Sequence, residues 1–193
     1  YTCVNVNPLY TARELEHQLK DSGATAIVIL ENFAHTLQSV IDKTPITTVV
    51  VASMGDLLGA AYGRWITFAV RHLAKMVPAF ELPRDNGRKV VAFSDALAKG
   101  HSLTLKPANN DHDSIAFLQY TGGTTGLSKG AVLTHRNIIA ATLQAEAWFT
   151  PALSRVGDPT KSNSIAALPL YHIFALTLRL LAIRQGSHLT RIP

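Results

Sequence analysis

Apolar residues in the first third of the chain follow two rhythms, one of period two or continuous, the other of period near four. Residues 2–7 alternate apolar and polar, as a strand does. From Thr11 onward, Leu15 and Leu19 share one helical face. Glu14 stands three residues after Thr11, as in a capping box, and Gly23 follows as a stop. "TAIVIL" (25–30) is a continuous apolar run of the buried parallel kind, "ENFAHTLQSVIDKT" (31–44) has helical spacing, and "ITTVVVAS" (46–53) is a second buried run. Strand, helix, strand, helix, strand at this spacing predicts an α/β fold with a mostly parallel sheet and crossover helices.

Residues 56–77 place Leu58, Ala61, Trp65, Ala69, Leu73 and Met76 at helical spacing, with Arg64, Arg71 and Lys75 elsewhere around the helix. Two readings follow: a surface helix facing its own core, or a basic amphipathic helix in peripheral contact with a membrane. Pro78, Pro83, "RDNG" and Pro107 mark a loop-rich crossing around a short helix, "SDALAKG" (94–100). The pattern thus divides into a βαβ-type portion, 1–107, and a second portion, 108–193. In the latter, "SIAFLQYT" (114–121) reads as a strand, "GAVLTH" (130–135) as a second one, and "HRNIIAATLQAEAWF" (135–149) as a helix with Thr134 as its N-cap.

The longest apolar stretch, residues 164–183, is nearly long enough to span a membrane. Pro169, His172 and Arg179 interrupt it, so it is read as strand, loop and helix, with another strand at "GSHLTRIP".

Composition changes little in this picture. The chain is 47% hydrophobic and 16% charged, which excludes disorder. The net charge of +5 is dispersed, without the interleaved aromatic and basic residues of a nucleic-acid groove, so no nucleic-acid partner is expected. One cysteine, Cys3, cannot form an internal disulfide, and a reducing, cytoplasmic setting is the default.

The candidate chemistry lies in "YTGGTTGLSKGAVLTH" (120–135). Gly122, Gly123 and Gly126 free the backbone to converge on an anion, and Thr121, Thr124, Thr125 and Ser128 supply hydroxyls. Lys129 supplies a mobile positive charge. The P-loop spacing and the dinucleotide fingerprint both fail, and the β-like run after Gly130 places the glycines between two strands. "GLSKG" (126–130) also satisfies G-x-S-x-G, with Asp158 and then His172 or His188 in hydrolase order, but a nucleophile elbow needs a helix immediately after its serine.

"YTGGTTGLSKG" resembles the phosphate-binding signature of the adenylate-forming superfamily, with Ser128 in place of the usual proline before the lysine. "ALPLYHIFALT" (167–177) resembles that superfamily's next motif, and "VNPLYTARELEHQLKDSGA" its early segment; the flanking residues are most similar to bacterial long-chain fatty acid–CoA ligases. The resemblance implies activation of a long-chain fatty acid by ATP to an acyl-adenylate, then transfer to coenzyme A. It assigns Thr121, Gly122, Gly123, Thr124, Thr125, Gly126, Ser128 and Lys129 to the ATP phosphates, Thr121 to Mg2+ as well, and His172 to the carboxylate being activated. Phe174 and Leu176 would wall either the acyl tunnel or the core. It further implies that residues 1–193 are an internal piece of the large N-terminal domain, with a phosphate-loop hairpin, without the C-terminal lid domain, and inactive alone. A non-catalytic nucleotide-binding module is the other reading. If membrane contact occurs, it would be peripheral, on the inner face of the cell membrane, through 56–77.

Overall fold

A computed structural model describes residues 1–85, 87–121, 128–155, 158, 163–169 and 171–191. They divide into two compact units: one comprises 8–108 with 123–128, and the other 1–7, 109–122 and 129–193.

The first unit is built on a fully parallel three-stranded sheet. Strands β2 (Ala26–Leu30), β3 (Thr48–Ala52) and β4 (Lys89–Ala92) pair in the order β2-β3-β4. Helix α1 (Ala12–Ser22) begins at Thr11, whose hydroxyl accepts from the Glu14 N–H while the Glu14 carboxylate accepts from the Thr11 N–H at 2.8 Å. It ends at Gly23 in the left-handed conformation (φ 63°), which a side chain would resist. Both ends fall where the sequence predicts. Leu15 and Leu19 are buried with Leu37, Ile41, Ile46 and Val49, and this cluster is the core of the unit.

Three expectations change. The predicted helix over 31–44 is broken into two 3-10 turns around a single short helix, α2 (Ala34–Gln38). None of its three pieces has a side-chain cap, and Pro45 follows the last of them. The strand at 2–7 shortens to β1 (Cys3–Val4), which leaves the βαβ sheet altogether and pairs with β5 (Ile115–Thr121) in the second unit. The helix of 56–77 starts late, as α3 (Ala60–Phe68), and continues through a π-helical turn (Ala69–Leu73) that shifts the register of the apolar stripe. Trp65, Leu73 and Met76 are exposed instead of facing a core. A fourth helix, α4 (Phe93–His101), matches "SDALAKG".

The turn before α3 is fixed by close backbone approach. A Cβ on Gly55 would come within 1.9 Å of the Gly63 carbonyl oxygen, so only glycine admits this crossing. Beside it, the buried Glu31 carboxylate accepts from Arg71 Nη2 at 2.6 Å and Nε at 2.9 Å. One face of the sheet holds Ile27 and Val49 in the core, while Val28 on the other face is 66% exposed. Parallel sheets are ordinarily covered on both faces.

The second unit carries β5 (Ile115–Thr121) between β1, parallel to it, and β6 (Lys129–Thr134), antiparallel to it. Helix α5 (His135–Leu153) follows directly, with Thr134 as N-cap in a capping box with Asn137. Strands β7 (Asn163–Ala166) and β8 (His188–Arg191) form a parallel pair joined through α6 (Ile173–Gln185), the strand, loop and helix predicted for the long apolar stretch. Helices α5 and α6 pack together, with Arg184 Nε donating to the Glu146 carboxylate at 2.7 Å. Among the described residues no helix is long and apolar enough to cross a membrane.

Candidate functional site

Strands β5 and β6 form a hairpin stem whose last rung is Thr121 opposite Lys129. Residues directly opposed across an antiparallel pair project to the same face, and residues two apart along a strand share it too. Thr121, Lys129, Gln119 and its cross-strand partner Ala131 therefore line one face of the stem. Thr121 and Lys129 are both exposed at its open end, free to meet a ligand, and no ion pair holds Lys129 among the described residues. Gly122, Gly123, Thr124, Thr125 and Gly126, the centre of the predicted phosphate loop, lie outside the described residues.

On the opposite face, Tyr120 is buried against Gly130. A Cβ at that position would lie 3.0 Å from the Tyr120 ring, so the glycine is fitted to the aromatic side chain across the ladder. Arg136, at the start of α5, pairs with Asp113 at 3.1 Å and ties that helix to the segment leading into β5. The Asp113 carboxylate raises the Arg136 pKa by accepting its hydrogen bond.

His172 is the N-cap of α6. Its Nδ1 accepts from the Phe174 N–H at 3.3 Å, and its own N–H donates to the Pro169 carbonyl at 2.9 Å. With Nδ1 as acceptor, the neutral ring carries its proton on Nε2, and the residue is exposed. A buried core histidine, the expectation for this residue type in an apolar run, is not what forms. Phe174 is exposed, which removes it from the core.

Three contacts were not anticipated from sequence. The Gln119 amide donates from Nε2 to the Tyr171 carbonyl at 2.9 Å and accepts on Oε1 from Asn5 Nδ2 at 3.2 Å, which ties β5 to the turn before His172. A lone glutamine in the apolar run "IAFLQYT" is the signal that could have pointed to it. In the first unit, His17 Nε2 donates to the Ser128 carbonyl at 2.9 Å, from a helix 111 residues away in sequence, and no local pattern announces it.

The hydrolase reading loses its elbow, because a strand and not a helix follows Ser128. The described residues contain no cluster of three or more His, Cys, Asp or Glu side chains placed to hold a metal ion. What the stem offers is a hydroxyl and an ammonium side by side, suited to a polyanion.

Comparison with known proteins identifies the family. The model of the AMP-binding enzyme family matches residues 1–193. A long-chain-fatty-acid–CoA ligase of Escherichia coli O157:H7 is 49% identical over 185 residues, 95% of this chain and 31% of that protein. One from Bacillus subtilis (strain 168) is 29% identical over 193 residues, 98% of this chain and 32% of that protein. The chain thus spans about 31% of the length of the first of these relatives. Among solved structures, a long-chain-fatty-acid–CoA ligase from Archaeoglobus fulgidus superposes with a TM-score of 0.58 at 25% identity, covering 98% of this chain and 30% of that one. An anthranilate–CoA ligase bound to anthranoyl-AMP has the same fold, with a TM-score of 0.68 at 18% identity over 100% of this chain and 30% of that one. With the family's model matching from the first residue to the last, the chain belongs to the AMP-binding enzymes.

Proposed function

We propose that these residues are the phosphate-loop and acyl-site segment of a long-chain fatty acid–CoA ligase. The observation that carries the reading is the opposed pair Thr121–Lys129 at the mouth of a hairpin on whose same face the next β5 residue, Gln119, holds the turn bearing His172. The fatty acid carboxylate attacks the α-phosphate of ATP and pyrophosphate leaves; the thiol of coenzyme A then attacks the acyl-adenylate carbonyl and AMP leaves. Bringing a carboxylate against a triphosphate is electrostatically unfavourable, and preorganised donors offset this cost as charge moves onto the leaving group.

Each residue has a part in this. The Lys129 ammonium neutralises β- and γ-phosphate charge, and the hydroxyls of Thr121 and Ser128 donate to the same oxygens. His172 donates from Nε2 to the incoming carboxylate and orients it. The donor set would suit Mg2+ as an ion carried on the nucleotide, with the Thr121 hydroxyl as the hard oxygen that this chain would offer it. Bound there, Mg2+ would withdraw charge from the phosphoryl oxygens.

The exposed sheet face at Val28 supports the reading that 1–193 form part of a larger N-terminal domain, to which a C-terminal lid domain is joined. A peripheral membrane contact is proposed for 56–77, where Tyr62, Trp65, Phe68, Leu73 and Met76 are exposed beside Arg64 and Lys75. It would lie on the cytoplasmic leaflet, where ATP and coenzyme A are available. Co-sedimentation with phosphatidylglycerol-containing vesicles, weakened by Trp65→Ser and Lys75→Glu, is the expected result; equal recovery with and without vesicles would refute it.

The central test is fatty-acid-dependent ATP–pyrophosphate exchange by the full-length protein that contains this segment. Lys129→Ala is expected to lower the rate about 100-fold or more. Undiminished exchange would remove the phosphate role. Labelling of Ser128 by a fluorophosphonate would instead revive hydrolase chemistry.

A further inference from the structure

We infer that Gln119 is a positioning residue for His172, acting through the Tyr171 carbonyl; this rests on the acyl-activation reading above. Gln119 is 7% exposed and lies two residues before Thr121 on the same face of β5. Its amide is used at both ends, Nε2 toward Tyr171 and Oε1 toward Asn5. A buried amide with one end unmet would be costly, so the contact pattern fixes which way the amide points. The acceptor at Tyr171 is the carbonyl of the peptide that leads into His172, and the N–H of that same peptide donates to Pro169. Both polar groups of the peptide are therefore held, and the imidazole begins from a fixed backbone position.

The ring itself is held from the other side by the Phe174 N–H on Nδ1. Together these contacts leave Nε2 as the ring's free donor at a set distance from β5, the strand that ends in Thr121. Gln119 thus links the phosphate-binding end of the stem to the group that orients the carboxylate. The residue type follows from the chemistry. Glutamate would set a carboxylate oxygen against the Tyr171 carbonyl, and leucine would leave that carbonyl without its donor.

The test is a double-mutant cycle in the full-length protein, with Gln119→Leu, His172→Ala and the pair, reading kcat and KM of ATP–pyrophosphate exchange separately. Gln119→Leu is expected to lower kcat about 10- to 100-fold, as a small misplacement of a reacting group does, while the KM for ATP changes less than about threefold. In the His172→Ala background the same substitution should cost almost nothing further. Equal losses in both backgrounds, or wild-type kcat in Gln119→Leu, would overturn the inference. Should Gln119→Leu fail to fold, Gln119→Glu keeps the volume and enters the same cycle. The 15N shifts of the His172 ring report the coupling without turnover, and they should move in either variant; unchanged shifts count against it. Absence of fatty-acid-dependent exchange in the wild-type protein would sink the ligase reading instead, leaving the ring shifts to decide the role of Gln119.

Discussion

Thr121 and Lys129 stand directly opposite each other at the last rung of the β5–β6 ladder. A hydroxyl and an ammonium are thereby delivered to one spot by strand register alone, whatever path the intervening residues take. Valine has the shape of threonine and an equal liking for strands. Thr121→Val should therefore leave the thermal midpoint unchanged within about 2 °C. Loss of the hydroxyl should raise the KM for ATP by up to about tenfold, the worth of one neutral hydrogen bond. An unaltered KM in ATP–pyrophosphate exchange would exclude Thr121 from nucleotide binding.

Gly130 faces the Tyr120 ring across the same ladder. Since an added Cβ would sit 3.0 Å from that ring, Gly130→Ala forces a displacement of a few tenths of an ångström. The expected destabilisation is about 1–2 kcal/mol by denaturant titration. Tyr120→Leu should relieve part of it in the double variant, because the clash is with the aromatic edge.

Arg71 is half exposed, yet its partner Glu31 is buried, and Oε1 of that carboxylate has no partner among the described residues. Removing the arginine strands a buried charge. Arg71→Ala is expected to cost about 3 kcal/mol, and Glu31→Gln in the same background should recover much of this by removing the charge. Equal stability of the two variants would show that the ion pair is not what holds the α3 segment.

Acid should weaken the chain in a predictable window. Hydrogen bonds from the Thr11 hydroxyl and N–H hold the Glu14 carboxyl below the usual glutamate value, and the Ser114 hydroxyl and N–H do the same for Asp111. A carboxyl with a lowered folded-state pKa contributes stability above its unfolded value and loses it as pH falls through the folded one. Stability should therefore decline below about pH 4. Thr11→Ala should cost about 1 kcal/mol at neutral pH and make the acid decline shallower.

Local chemistry was the most legible part of the sequence. Thr11, Gly23 and Thr134 act within four residues of themselves, so short windows contain their causes. The partner of β1 was not legible, because alternation predicts a strand without naming its neighbour, and Phe117 lies over a hundred residues away. The π-turn in 69–73 was equally hidden: the stripe from Leu58 to Met76 is regular only if the helix keeps its 3.6-residue period. In the site, motif order pointed to Lys129 and His172. Gln119 escaped because its role depends on a carbonyl contributed by Tyr171, and every residue has a carbonyl.

The pairing of Cys3 with Phe117 also sets an order of assembly. Residues 8–108, with their own sheet and core, lie wholly between these two partners in sequence. Long-range strand pairing is slow because loop-closure entropy opposes it. As the chain leaves the ribosome, the β2-β3-β4 sheet can form while β1 still waits for β5, and the compact insert then shortens the loop that must close. The outer edge of β5 is thus among the last edges of the chain to find its partner.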